Sequence, residues 1–171
     1  MGGTREIARA LTAATDHLRR HPEAGRVADR TATVVVTEGL RCRATDPLGN
    51  LVGTDMPPGL GGEDAGPTPG TVLRMAVGSC AATSLVMRAA QEGIELERVE
   101  VTVSSESDHR GLLGLDGVSP GPFGLRVRYR LSAPGVPADR LRALVDWAER
   151  HSPVAAAARR PLPVTVELET G

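Results

Sequence analysis

The sequence predicts an α+β fold in which short strands and several helices surround one long, buried central helix. Three observations lead there. Strand-like runs crowd the segment from Thr31 to Thr54, an apolar run from Val72 to Met87 carries no turn signal, and two later segments alternate apolar with polar residues. β-branched runs and strict alternation are strand signals, whereas a long, predominantly apolar run reads as a buried helix. At 171 residues the chain is long enough to bury a core without disulfides or a metal.

Residues 5 to 20 place Ile7, Ala10, Leu11, Ala14 and Leu18 on one stripe, with Thr4 as the expected N-cap and a stop at His21-Pro22; this is an amphipathic helix. Thr31 to Glu38 and Leu40 to Thr45 flank Gly39 and read as a hairpin, and Leu51 to Thr54 follows the turn Asp46-Pro47-Leu48-Gly49-Asn50 as a third short strand. Met56 to Pro69 is too rich in Pro and Gly to hold a regular element. Thr68 then caps, Pro69 takes the first helical position, and residues 70 to 91 form a helix apolar on almost every face, the expected centre of the fold. Val99, Val101 and Val103, then Phe123, Leu125, Val127, Tyr129 and Leu131, alternate with polar residues and predict two strands with one wet face each. Pro137 opens a helix carrying Leu141, Leu144, Val145 and Ala148, Ser152-Pro153 restarts a short one, and Val164, Val166 and Leu168 are expected to close as a strand. Residues 1–30 are expected to form an N-terminal helix and linker, and residues 31–171 the main domain.

Composition removes several functions. The formal net charge is −1 and the pI about 6.4, which offers no field for nucleic acid or an anionic membrane. All 20 basic residues are arginine, so neither a Schiff-base nor a phosphate-loop lysine exists. Phe123, Tyr129 and Trp147 are the only aromatic residues, too few for stacking platforms. No run of 18 apolar residues occurs, and the opening residues lack a continuous apolar signal region. Cys42 and Cys80 are too few for a disulfide scaffold, so free thiols in a reducing cytoplasm are expected.

The residues with chemical potential are few. Cys80 lies among small residues in Gly78-Ser79-Cys80-Ala81-Ala82, which invites comparison with a nucleophile elbow; in a helix it stands three turns from the start, beyond the reach of the helix dipole. A lone buried cysteine is more often a packing residue than a nucleophile. Cys42 sits between Arg41 and Arg43, and packing is its plainer reading too. His17 and His21 share a helix face without a further ligand to complete a metal set. His151, next to Ser152, and His109, next to Asp108, leave a Cys-His or Ser-His pair open, and Glu63 and Asp64 are loop acids whose plain reading is solvation. No cofactor or metal is implied.

Taken together, GLGGEDAGPTPGTVLRMAVGSCAATSLVMRAAQEGI resembles the signature of the OsmC/Ohr family (osmotically induced protein C, organic hydroperoxide resistance). The likeness continues through a strand pair, a helix ending in His151-Ser152-Pro153-Val154 and the segment PVTVELE, covering roughly residues 31 to 169. The resemblance implies antiparallel sheets on the central helix, an intertwined homodimer, and an interface site where a helical cysteine reduces organic hydroperoxides. On that pattern Cys80 matches the peroxide-attacking thiol, and its thiolate becomes a sulfenic acid that a second cysteine resolves. That second cysteine belongs to a His-Cys-Pro motif, and this chain has Ser152 there. The acid that follows the helix-opening proline in the peroxidase branch is replaced by Gly70, and Arg41 takes the place of an activating cation in the early hairpin.

Two classes of function follow. In one, Cys80, with Arg41, His151 and Ser152 around it, attacks a peroxide or related electrophile and an external thiol regenerates it. In the other, a pocket between two copies binds a small hydrophobic ligand without turnover. A Cys-His hydrolase using Cys80 and His151 is a third reading.

Overall fold

Strand pairing and helix packing sort the chain into two compact units in the computed structural model, which describes residues 3–171. Residues 1 and 2 of the expected N-terminal segment lie outside it. One unit gathers Arg9–Ala76 and Ser104–Leu125; the other gathers Val77–Val103 and Arg126–Gly171 with the residues up to Ala8. The fold is α+β, as the sequence predicts.

The first unit begins in helix α1 (Thr4–Arg20), in which Thr4 is already helical. Strands β1 (Thr33–Glu38), β2 (Arg41–Thr45) and β3 (Leu51–Thr54) then form an antiparallel sheet in that order. The β1–β2 turn uses Gly39 at φ 55°, a conformation glycine adopts without a Cβ penalty. In the β2–β3 turn, Asp46 Oδ1 accepts from the backbone N–H groups of Leu48 and Asn50, each at 2.9 Å, an Asx arrangement. The Pro- and Gly-rich loop that follows is pinned by Asp55. Its buried carboxylate accepts from the N–H groups of Met56 at 2.8 Å, Glu63 at 3.0 Å and Ala65 at 3.1 Å. These bonds, that from Ala65 foremost, hold the Asp55 carboxyl below the ordinary carboxylate range, with Arg41 adding to the effect. A Cβ at Gly62 would fall 1.8 Å from the Met56 carbonyl oxygen, so the loop closes only over glycine.

Thr68 Oγ1 accepts from Thr71 N at 3.2 Å and starts helix α2 (Pro69–Gln91), as the sequence predicts. α2 is long and apolar enough to cross a membrane by length and composition. Here its second half is a core helix. Leu85 and Ala89 form a buried cluster with Leu144 and Ala148 of helix α4 (Ala138–His151), and Leu96, Val99, Tyr129 and Leu131 pack around it. The cover comes from strands β4 (Arg98–Ser105) and β5 (Leu125–Ser132), which pair as a second sheet. Gly78 permits a close approach of α2 to β4: a Cβ there would lie 3.2 Å from Val103 Cγ2. Between the two strands the chain makes a short helix α3 (His109–Leu112), and after α4 the helix α5 (Pro153–Arg159). Leu73 and Met75, on the first half of α2, are exposed, so α2 is not covered on every face within one chain.

The expected closing strand is absent. Residues 160–171 hold no regular structure, and Val164, Val166 and Leu168 are 82%, 85% and 84% exposed. A strand exists only through hydrogen bonds to a neighbour, and among the described residues no strand pairs with the segment. Its alternation is legible, its partner is not.

The Leu85–Leu144 cluster predicts that Leu144→Ala lowers the free energy of unfolding by about 2–5 kcal/mol, the usual cost of emptying a buried leucine site. Urea denaturation followed by circular dichroism measures it, and a loss below about 1 kcal/mol would show that the site collapses around the smaller side chain.

Candidate functional site

Cys80 occupies the middle of α2 in the second unit, half-buried, with its thiol free. The side chain that meets it is Ser152, at the junction where α4 ends and α5 begins. Its backbone stands at φ −74°, ψ 115°, outside the helical region, and Pro153 supplies the first residue of α5. In that geometry Ser152 Oγ accepts from Ala155 N at 3.2 Å, the cap expected of serine. The same hydroxyl donates to Cys80 Sγ at 3.2 Å. Ser152 is fully buried, so its hydroxyl is fixed by the cap on one side and by the sulfur on the other. A negative charge developing on that sulfur has a donor already in place.

Three further residues complete this region. Tyr129 of β5 donates its hydroxyl to Glu149 Oε1 of α4 at 2.5 Å. Arg159, at the end of α5, pairs with the same carboxylate and donates to the Glu149 carbonyl at 2.6 Å. Burial first, then the Glu149 carboxylate, push the Tyr129 phenol well above its ordinary value, and negative charge at Cys80 acts in the same direction. The phenol therefore stays protonated and remains a donor. Tyr129, Glu149 and Arg159 escape the sequence reading. The available signal is that Tyr129 is the only tyrosine and lies on the inward face of its strand, where a buried hydroxyl requires a partner.

The other candidates stand as follows. His151 turns onto its own helix: its Nδ1 lies 2.8 Å from the Trp147 carbonyl oxygen and its ring stacks on Trp147 at 4.1 Å between centroids. No hydrogen bond joins it to Cys80 or Ser152 among the described residues, so the imidazole–thiol pair of a hydrolase is not formed. Arg41 belongs to the first unit, where it pairs with Glu38 and Glu63 and lies 4.0 Å from Asp55. Through Asp55 and Glu63 it organises the Pro- and Gly-rich loop. Glu63 is thereby occupied, and Asp64 takes a positive φ of 55° in the same loop. Cys42, on β2, directs its thiol to the Leu40 carbonyl oxygen at 3.8 Å. His17 and His21 stand 4.9 Å apart by ring centroids. Among the described residues no group of three His, Cys, Asp or Glu side chains is placed to hold a metal.

Comparison with known proteins gives a consistent picture. The family model described as OsmC-like protein matches residues 61–167. Among solved structures, the chain is similar to an organic hydroperoxide resistance protein OsmC from Legionella pneumophila, at 21% identity and a TM-score of 0.58, covering 78% of this chain and 91% of that one. It is similar to an organic hydroperoxide resistance protein from Elizabethkingia anophelis at 22% identity and a TM-score of 0.59, over 80% and 91% of the two chains. An OsmC-like protein from Mycoplasma pneumoniae has 15% identity and a TM-score of 0.63, over 78% and 89%. At these identities the likeness establishes the fold. No curated protein sequence matches this chain.

The 3.2 Å between Ser152 Oγ and Cys80 Sγ predicts that Ser152→Cys closes a disulfide, since a bond of about 2.05 Å needs only a small approach of the two atoms. After treatment with peroxide, mass spectrometry of the variant should find Cys80 joined to the new thiol with the loss of two hydrogens. A free thiol at position 152 beside an over-oxidised Cys80 would show that the two side chains do not meet in solution.

Proposed function

Since the chain belongs to the OsmC-like protein family, we propose that it is a one-cysteine, thiol-dependent peroxidase acting on organic hydroperoxides, with Cys80 as the attacking residue. The observation that carries this reading is the buried Ser152 hydroxyl directed at the Cys80 sulfur, at the position where the resembled two-cysteine enzymes hold their resolving thiol. The Legionella and Elizabethkingia proteins, by name organic hydroperoxide resistance proteins, support organic hydroperoxides as the substrate class.

The steps are short. The Cys80 thiolate attacks one oxygen of the O–O bond; that bond breaks, the sulfur becomes a sulfenic acid, and the alkoxide leaves and takes a proton to become an alcohol. Ser152 donates a hydrogen bond to the sulfur before the attack. A hydroxyl forms no disulfide, so an external thiol condenses with the sulfenic acid, releasing water and leaving a mixed disulfide. A second external thiol frees Cys80. Tyr129 and the Glu149–Arg159 pair hold the wall on which Ser152 stands. No cofactor enters this cycle, and a reducing cytoplasm supplies the thiol.

A homodimer completes the proposal. The exposed Met75 on α2, Val34 and Val36 on β1, and the unpaired residues 164–168 are apolar surface that a second copy would cover.

Cys80→Ser is expected to abolish consumption of cumene hydroperoxide in the presence of dithiothreitol, while Cys42→Ser retains most of it. Equal loss in both would point to a two-cysteine pair instead, and indifference to either change would favour ligand binding without turnover. For the assembly, light scattering at micromolar concentration should return twice the chain mass of 17.9 kDa; a monomer would remove the dimer.

A further inference from the structure

Within the first unit lies a cavity of about 320 Å³ that contains neither cysteine. Its walls are mostly apolar, built from Met56, Pro57 and Leu60 of the loop, Leu73 of α2, and Leu112 and Pro122 of the segment between β4 and β5. Into this lining comes one guanidinium, that of Arg74. Arg74 Nη1 donates to Ser105 Oγ at 3.2 Å and Nη2 to Thr71 Oγ1 at 2.9 Å. Both partners are neutral. Among the described residues no carboxylate comes within ion-pair distance of it, whereas Arg41, Arg88, Arg110, Arg140 and Arg159 all have one.

The one acid in the lining does not answer this charge. Asp108 gives both carboxylate oxygens to Arg110, at 3.0 Å and 2.5 Å, and accepts from its backbone N–H; the Arg110 side chain holds its carboxyl below the ordinary range. Position 70 explains why Arg74 is left alone. One turn earlier on the same helix face, a Cβ at Gly70 would stand 3.7 Å from Arg74 Nη1. An acidic side chain there would form the usual i, i+4 pair; glycine supplies nothing.

A guanidinium set among apolar groups favours an anion, and its planar fork fits a carboxylate through two parallel N–H bonds. Ligand pockets span about 300–1,000 Å³, so this one is small, and its walls ask for an apolar body. We propose that this cavity binds a medium-chain apolar monocarboxylate, with Arg74 holding the carboxylate and the loop and α3 residues enclosing the chain. Such binding is non-covalent.

Calorimetric titration with octanoate, and with 1-octanol as the uncharged probe of similar length, tests the site. The parent protein should bind octanoate saturably at one site per chain and 1-octanol at least tenfold more weakly. Arg74→Gln should lower octanoate affinity at least tenfold and leave 1-octanol binding as it was, and Arg74→Lys should retain part of the preference. Equal affinity for the two probes, absence of saturable octanoate binding, or an octanoate affinity unchanged in Arg74→Gln would each overturn the proposal. Should Arg74→Gln fail to fold by circular dichroism, the parent's discrimination between the two probes decides alone.

Discussion

The contact between the second half of α2 and α4 is the constraint on which the rest of the second unit depends. Leu85 and Ala89 meet Leu144 and Ala148 with essentially no exposure, and two alanines among four residues let the helices approach closely. Cys80 lies five residues before Leu85, and Ser152 four residues after Ala148. At 1.5 Å per residue both sit just over one turn from the cluster, and there they meet. The pairing of hydroxyl and thiol is thus a product of core packing. Each buried leucine contributes about 1.5–3 kcal/mol, so the same residues that stabilise the unit also set the distance between the Cys80 and Ser152 side chains.

A serine in contact with a cysteine is chemically different from a second cysteine. The hydroxyl stabilises charge on sulfur by hydrogen bonding, yet it cannot exchange with a disulfide or close one. The cap it forms at the start of α5 also ties it to the backbone through Ala155 N, so its position does not depend on the redox state of its neighbour. Arg159 and Glu149 reinforce the junction from the other side by joining the end of α5 to α4.

Much of this architecture is legible in the chain because it is local. Alternation, β-branched runs and Thr68-Pro69 locate β1 to β5 and α2 to within about two residues, because period and capping act over a few positions. The family signature brings Cys80 and Ser152 to attention together. What the sequence does not reveal is non-local. Arg159 looks like any of the 20 arginines until the fold lays it on Glu149, and the unpaired state of Arg74 follows from Asp108 being taken by Arg110, a competition between loops that spacing alone does not encode. The missing last strand has the same origin, for an alternating pattern states a readiness to pair and names no partner.

That readiness carries a hazard for the chain itself. Once extended, residues 162–168 would place valine and leucine on one side, the arrangement from which cross-β stacking grows. The segment carries its own interruptions. Pro161 and Pro163 remove two backbone donors at its entrance, and Glu167 and Glu169 place like charges that would oppose one another in any in-register stack. The tail can therefore accept a matching edge for a few residues while resisting indefinite elongation, which is what keeps an exposed, unpaired segment from seeding fibres.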